Sequence, residues 1–375
     1  MITVAHIITR LELGGAQQNT IDTCVGLDRK RFRVRLLYGP GGPLDDRLDE
    51  LAAHEKRSIA HLGRAIAPSD DLRAFLEIRG DLEALGPCLV HTHSSKAGIL
   101  GRAAARSLGL RGVIHSIHGF GFHAEQPRWK RAAFVTAERQ AARWTRAFLS
   151  VSRANLAEAQ ARGIVGPQHL ARILRSGMNL EPFVDADARR SEARLALSAP
   201  AGPLFLSVAN LKPQKAPLDL VRAFQLVKVE RPDAELWFVG DGPLRGEVEA
   251  ELRARGLDGF RLLGWRRDVP SLMAACDVVV LSSIFEGLPR TAVQAVRARR
   301  PFVGTRVDGT AEVIEDGVNG FLVEPRAPQQ LAQAMLRALL ERPIDPSPEI
   351  RCRPWSVQAL IHGQEALYEE VAATT

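Results

Sequence analysis

Cysteine is scarce: four residues in 375, Cys24, Cys88, Cys276 and Cys352, far apart and without a Cys-x-x-Cys pair. Neither a disulfide framework nor a zinc ribbon is expected, and a reducing cytoplasm fits. Long apolar runs are also missing; none approaches the ~18 residues that cross a bilayer. Met1 to Leu13 lacks a basic leader followed by a long apolar stretch, so the chain reads as cytoplasmic, either soluble or peripheral at the inner face of the cell membrane. No Gly-x-Gly-x-x-Gly follows a strand pattern and no Walker sequence occurs, which removes the phosphate cradles of dinucleotide oxidoreductases and P-loop hydrolases. Short-period repeats and low-complexity tracts are absent too. What remains is ordinary globular composition, 46% hydrophobic and 25% charged, in a length that suits two domains. The net charge of +7 asks for an anionic partner: nucleic acid, a membrane surface or a phosphate-bearing substrate.

Short apolar runs alternate with amphipathic stretches. Ile2 to Ile8 reads as a buried strand, Gly14-Gly15 as a turn and Ala16 to Leu27 as a helix. The alternation continues with a strand over 32–38, a helix over 44–56, a strand near Ile59, a helix over 70–85, a strand over 88–92, a helix over 97–108 and a strand over 113–117. After the proline-marked stretch 181–203 a second series begins, with strands over 204–208, 234–239, 260–263, 278–281, 302–303 and 320–323 and helices between most of them. Such alternation implies parallel sheets covered on both faces. The chain is therefore expected to be α/β, with two Rossmann-like domains, 1–183 and 184–352, facing across a cleft. A last helix, within 353–375, is expected to cross back to the first domain.

The most informative stretch is Ser282-Ser283-Ile284-Phe285-Glu286-Gly287-Leu288-Pro289-Arg290, continuing to Gln294. It lies between an apolar strand and a helix. A helix start offers unpaired N–H groups and the positive end of the macrodipole, which suit a diphosphate, and a carboxylate beside it can accept hydrogen bonds from sugar hydroxyls. A solvated Glu before a helix, with Gly and Pro merely shaping the turn, is the plainer reading of the same residues.

Around this stretch lie Leu262-Gly264-Trp265-Arg266-Asp268-Val269-Pro270, Gly309, Glu312-Val313-Ile314 and Asn319-Gly320-Phe321. Upstream are Val208-Ala209-Asn210-Leu211-Lys212-Pro213-Gln214-Lys215 and Gly240-Asp241-Gly242-Pro243. The first half contributes Gly14-Gly15-Ala16-Gln17, His91-Thr92-His93-Ser94-Ser95-Lys96 and Ile117-His118-Gly119-Phe120. In this order, over nearly the whole chain, the sequence resembles glycosyltransferase family 4, retaining enzymes of the GT-B fold that use nucleotide-sugar donors.

The resemblance implies roles residue by residue. Lys215 would neutralise the donor diphosphate as charge accumulates on the leaving nucleotide, Glu286 would orient the donor sugar, and His118 would face the transferred sugar. Gly14 and Gly15 would bring backbone to the phosphates. Gly240, Asp241, Gly242 and Gly264 would line the nucleotide pocket, with Gly287 and Leu288 offering amides. Two positions depart from the pattern: Asn210 stands where the family commonly has Arg, and Gln294 where it has a second acid. Gln294 still donates and accepts hydrogen bonds toward a ribose, while Lys212 or Arg290 would have to supply the missing cation.

Five histidines, His91, His93, His115, His118 and His123, cluster near two strand ends. His-x-His could be a hydrolase metal site, but no carboxylate or cysteine stands in these strands or their immediate loops. His91 and His115 read better as hydrogen-bonded core residues, and no metal or cofactor is expected. His93, Ser95 and Lys96 are candidate acceptor contacts; Ser94 or Ser95 as an N-cap is the alternative.

The expected activity is transfer of a sugar, with retention, from a nucleotide-diphosphate donor of the UDP-sugar type to a lipid-linked or saccharide acceptor in surface-polysaccharide synthesis. A nucleotide-sugar 2-epimerase of the same architecture and a non-catalytic nucleotide-sugar or polysaccharide-binding protein are the alternatives. Between Lys96 and Arg175 fourteen Lys and Arg face three acids, so the positive charge sits in the acceptor half. Arg128-Trp129-Lys130-Arg131 and Arg143-Trp144-Thr145-Arg146 suggest a face for an anionic membrane. No nucleic-acid-binding module accompanies the charge.

Overall fold

The computed structural model describes residues 1–12, 14–122 and 126–375. The chain forms two compact units, Met1–Met178 with Pro354–Thr375, and Asn179–Arg353.

The first unit is built on a seven-stranded parallel sheet. Its strands are β1 (Ile2–Ile8), β2 (Phe32–Tyr38), β3 (Lys56–Ser58), β4 (Leu89–His93), β5 (Val113–Ile117), β6 (Ala147–Ser150) and β7 (Leu170–Ile173), in the order β3-β2-β1-β4-β5-β6-β7. Successive side chains alternate between faces: Val4 and Ile8 join Leu89, Ile114 and Leu149 on one side, while Ala5 and Ile7 join Val90 and Val113 on the other. Both faces are covered at the centre of the sheet, where β1, β4 and β5 are buried almost throughout, whereas the outer strands β2, β3 and β7 carry exposed residues.

The final helix, Val357–Ala372, belongs to this unit although the whole second unit precedes it in sequence. Ser356 caps it, its Oγ accepting from the Ala359 amide at 3.1 Å. Leu367, Tyr368 and Val371 complete the core on the Val4 face, a burial of roughly 2 kcal/mol per side chain. Glu365 fastens the helix by accepting from the Asp28 amide at 2.9 Å and pairing with Arg31 at 2.8 Å.

One segment differs from the sequence expectation. Residues 44–56 are not a helix but two 3-10 turns, Asp45–Glu50 and Ala53–Glu55, split by extended Leu51. Each turn is tied by a carboxylate: Asp45 accepts from the Gly41 and Gly42 amides, and Glu55 accepts from the Ala52 amide at 3.0 Å. These local bonds compete with helical ones.

The second unit holds β8 (Leu204–Val208), β9 (Glu235–Val239), β10 (Phe260–Gly264), β11 (Val278–Leu281), β12 (Phe302–Thr305) and β13 (Gly320–Val323), parallel and ordered β10-β9-β8-β11-β12-β13. Helices Pro217–Glu230 and Pro328–Glu341 pack Leu220, Phe224 and Val227 with Leu331, Met335 and Ala338 over Phe205, Val278 and Val303.

Candidate functional site

In each sheet the strand order reverses once: between β1 and β4 in the first unit, and between β8 and β11 in the second. Ligands in open α/β sheets bind outside the carboxyl ends of the strands at such a reversal, because the flanking connections diverge there. The sequence-expected residues fall at these two places or at the carboxyl ends of the neighbouring strands β5, β9 and β10.

In the second unit, Lys215 ends the 3-10 turn Pro213–Lys215 that follows β8, and Glu286 lies in the loop that follows β11. The two side chains form an ion pair. Glu286 is only 7% exposed; Ser283 Oγ donates to it at 2.6 Å, and its own amide donates to Asp308 Oδ2 at 2.6 Å. The two loops are stitched together: the Ile284 amide donates to Gln214 O at 2.8 Å, Gln214 Nε2 to Phe285 O at 2.9 Å, and Ser282 Oγ to Lys215 O at 2.8 Å. A cation and a carboxylate are thereby held at fixed separation.

Helix Arg290–Arg297 starts four residues after Glu286 with no side-chain cap and no acid in its first turn, so no carboxylate of its own offsets the positive end of its dipole. Gln294 lies one turn further on this helix, half-buried. Gly309 lets backbone approach closely, since a Cβ there would lie 2.5 Å from Gly287 O.

Backbone bonds fix the neighbouring loops. Ala209 N donates to Val239 O, Leu211 N to Asp241 O, Leu244 N to Leu211 O and Gly240 N to Gly264 O. They gather Asn210, Lys212, Gly240–Gly242 and Gly264 at the ends of β8, β9 and β10. Gly240 has φ +130°, and a Cβ would meet Ala209 O at 1.9 Å, so only glycine fits. Asp241 accepts from the Gly242 amide at 2.7 Å and pairs with Arg245. The Asp185-Ala186-Asp187 sequence, whose spacing would suit a metal-held diphosphate, is committed elsewhere: Asp187 pairs with buried Arg300.

In the first unit, Gly14 precedes helix Gly15–Gly26, which carries no acid in its first turn. Ser95 opens helix Ser95–Ser107 directly after β4, and His118 follows β5. The N-cap is Ser94, whose Oγ bonds Thr9 Oγ1 at 2.7 Å instead of capping the helix. His93 is fully buried, between His6 and His118, and Lys96 pairs with Asp71 while donating to Ala65 O. Of the three acceptor candidates, Ser95 alone has its side chain neither buried nor ion-paired. His123 lies outside the described residues.

The structure enlarges the histidine cluster. His6, Cα partner of His91 across β1 and β4, joins it, as does Tyr368 from the last helix. His91 and His115 are core residues: His91 bonds Tyr368 Oη at 2.6 Å and Ser116 Oγ at 2.8 Å, and His115 bonds Thr92 Oγ1 at 2.8 Å. One nitrogen of each of His6, His91 and His93 falls within 4.8 Å of the others, a spacing that a metal ion could use. All these ring nitrogens already have hydrogen-bond partners. Desolvation lowers the imidazoles: His118 to about 4 and His6 to about 3, with Arg29 adding to the effect of burial, and His91, His93 and His115 well below the ordinary histidine value. They are neutral at pH 7.

The sequence carried one overlooked signal here, a histidine in the middle of an otherwise apolar strand (Val4-Ala5-His6-Ile7-Ile8). Tyr368 and Gln364 gave none, being ordinary residues of an amphipathic helix.

Comparison with known proteins agrees with this geometry. Residues 14–175 match the family described as glycosyl transferase 4-like domain, and residues 202–341 match glycosyl transferases group 1. The UDP-Gal:alpha-D-GlcNAc-diphosphoundecaprenol alpha-1,3-galactosyltransferase of Escherichia coli is 28% identical over 90% of this chain and 87% of its own. In fold, the chain is similar to Anabaena HepE in complex with UDP and glucose (TM-score 0.84, 19% identity, 99% of this chain and 100% of that one). It is equally similar to the sucrose-phosphate synthase of Thermosynechococcus elongatus (TM-score 0.83, 19% identity, all of both chains). Two Rossmann-like units with loops gathered at the two sheet reversals, matched in sequence over most of their length, make this chain a member of the family 4, group 1 glycosyltransferases of the GT-B fold.

Proposed function

We propose that this glycosyltransferase moves a hexose, with retention, from a UDP-sugar to a saccharide carried on a lipid diphosphate, as a step in surface-polysaccharide assembly. The observation that carries the reading is the Lys215–Glu286 pair at the β8/β11 reversal: a cation for a diphosphate and a carboxylate for sugar hydroxyls, from loops locked to each other. The donor phosphate would draw Lys215 from Glu286, freeing the carboxylate for the sugar. The name of the E. coli relative, a UDP-galactose transferase acting on a diphosphoundecaprenol-linked sugar, and the UDP-glucose complex of HepE support donor and acceptor class. No metal enters the proposal, Lys215 and the dipole of helix Arg290–Arg297 being the positive elements. The relatives named are transferases, and the 2-epimerase alternative is set aside.

Purified protein incubated with a panel of UDP-hexoses and a GlcNAc-diphospholipid is expected to release UDP only when both substrates are present. Absence of acceptor-dependent UDP release across the panel, with saccharide acceptors included, overturns the reading.

Peripheral membrane contact is part of the same proposal. Among the described residues no helix is long and apolar enough to cross a membrane. Helix Arg128–Ala142 exposes Arg128, Trp129 and Lys130 at its start and Arg139 further along, with Trp129 75% exposed. Basic side chains around an exposed indole suit an anionic interface. Co-sedimentation with phosphatidylglycerol vesicles at low salt is expected, weakened at least fivefold by Trp129→Ala with Lys130→Glu; equal recovery with neutral vesicles would refute the contact.

A further inference from the structure

The hydrogen bonds around His118 have a sense that the groups themselves dictate. The starting point is the Asn19 carbonyl, which can only accept. Thr23 Oγ1 donates to it at 2.8 Å, so the Thr23 oxygen must accept from Gln364 Nε2, 3.0 Å away. That orients the Gln364 amide with Oε1 toward Tyr368, whose hydroxyl donates to it. The Tyr368 proton is then spent, and its oxygen can only accept. His6 Nε2, at 3.4 Å, must carry a proton toward it, as must Nδ1 of His91 at 2.6 Å. A neutral imidazole has one N–H, so His6 Nδ1 is bare and accepts from His93 Nε2 at 3.1 Å. His93 Nδ1 is in turn bare and accepts from His118 Nε2 at 3.1 Å. His118 is left with its proton on Nε2 and a lone pair on Nδ1, an atom that is itself buried and that no described residue pairs with.

We infer that this single-sense chain, His118 to His93 to His6 to Tyr368 to Gln364 to Thr23 to the Asn19 carbonyl, fixes the tautomer of His118 and presents its Nδ1 as an obligate acceptor for a substrate hydroxyl. Tyr368 and Gln364 of the last helix are its positioning residues. The chain ends on a backbone carbonyl, which takes no proton. It therefore cannot drain a proton from the site; it holds His118 as an acceptor rather than a relay. A buried acceptor without a partner costs free energy that a hydroxyl donor restores, so the site discriminates against substrates that lack that hydroxyl. His91 strengthens the anchor: its Nδ1–H goes to Tyr368, and its Nε2 accepts from Ser116 Oγ at 2.8 Å, so Tyr368 receives two donors and has no freedom to reverse.

That the hydroxyl belongs to a sugar rests on the function proposed above; the tautomer does not, and the experiment separates the two. Two-bond proton–nitrogen spectra of protein labelled with 15N-histidine, taken at pH 7.5, are expected to show the His118 proton on Nε2 and Nδ1 bare, assigned by comparison with His118→Asn. Gln364→Leu takes away the acceptor for the Tyr368 proton, and Tyr368→Phe takes away the oxygen. In either variant His118 is expected to populate both tautomers, while the circular dichroism of a folded protein is retained. An Nδ1–H signal in the wild type, or an unchanged Nε2–H state in both folded variants, overturns the inference. If both variants unfold, the wild-type spectrum alone decides. In transfer assays with monodeoxy donors and monodeoxy acceptors, one missing hydroxyl is expected to cost the wild type about tenfold in kcat/KM and Gln364→Leu about twofold. The arm in which the loss falls identifies whether donor or acceptor carries that hydroxyl. A wild type indifferent to every deoxy substrate refutes the acceptor role even where the tautomer is confirmed.

Discussion

Lys215→Ala lowers sugar-transfer turnover by two to three orders of magnitude, and Glu286→Ala by a similar factor, with the protein still folded: that is the expected result for a cation and a carboxylate that act on the donor. Removing one preorganised charge partner of a developing anion costs about 10²–10³ in rate. Lys215 sits at the β8/β11 reversal with nothing in the core resting on it, so its loss leaves the fold standing. It does leave Glu286, 7% exposed, without its counter-charge. Ser283 Oγ still donates to that carboxylate at 2.6 Å, which limits the stability cost to roughly 1–3 kcal/mol. Glu286→Gln is the cleaner probe because it keeps the shape and removes the charge. Initial rates of UDP release, with thermal denaturation of the same samples, supply the check; rates near wild type in both alanine variants would remove Lys215 and Glu286 from the site.

The second large effect is acid sensitivity confined to one unit. All ten histidines lie in residues 6–169 or at 362, and none lies in 179–353. Five of them, His6, His91, His93, His115 and His118, are lowered by burial. An unfolded histidine takes up its proton near pH 6.5, whereas in the folded unit His118 stays neutral down to about 4 and His6 to about 3, and His91, His93 and His115 are held well below the ordinary value by burial. Between those values the unfolded state binds more protons, so stability falls as the pH falls. At pH 5.5 each contributes about 1 kcal/mol of destabilisation, and five together are comparable with the whole stability of a domain. Differential scanning calorimetry from pH 7.5 to 5 should show one transition moving down by well over 10 °C and a second that barely moves. Two transitions that shift together, or a flat profile, would contradict the buried neutral cluster.

How much of this was legible in the sequence depended on range. Lys215 and Glu286 carry their information locally, in a strand end, a Gly-Leu-Pro turn and a helix start, and their meeting follows from where a doubly wound sheet reverses. Strand β2 was likewise readable to the residue, because Phe32 to Tyr38 is bounded by a polar turn and a Gly-Pro stretch. The failures are instructive. The leucines at 44, 48 and 51 have helical spacing, yet Asp45 and Glu55 bind nearby amides and break the run into turns. Strands β6 and β7 carry weak signals: β7, Leu-Ala-Arg-Ile, holds an arginine and is partly exposed, and β6, Ala-Phe-Leu-Ser, has only two large apolar residues. Lys96 looked free for an anionic ligand until folding brought Asp71 to it. The histidine chain was the least readable feature, since its meaning depends on Gln364 and Tyr368, more than 340 residues from Thr23 and His6. No local pattern records a contact of that separation.

The last helix has a consequence for how this protein is made. Leu367, Tyr368 and Val371 form one wall of the first unit's core, yet they are translated after the whole of Asn179–Arg353. At about 5–20 residues per second, the first unit spends tens of seconds with the Val4 face of its sheet uncovered before its own covering helix is made. The second unit, continuous in sequence, has no such wait and can finish first. Synthesis thus reverses the usual amino-to-carboxyl order, and the nascent first half is where a chaperone would be needed.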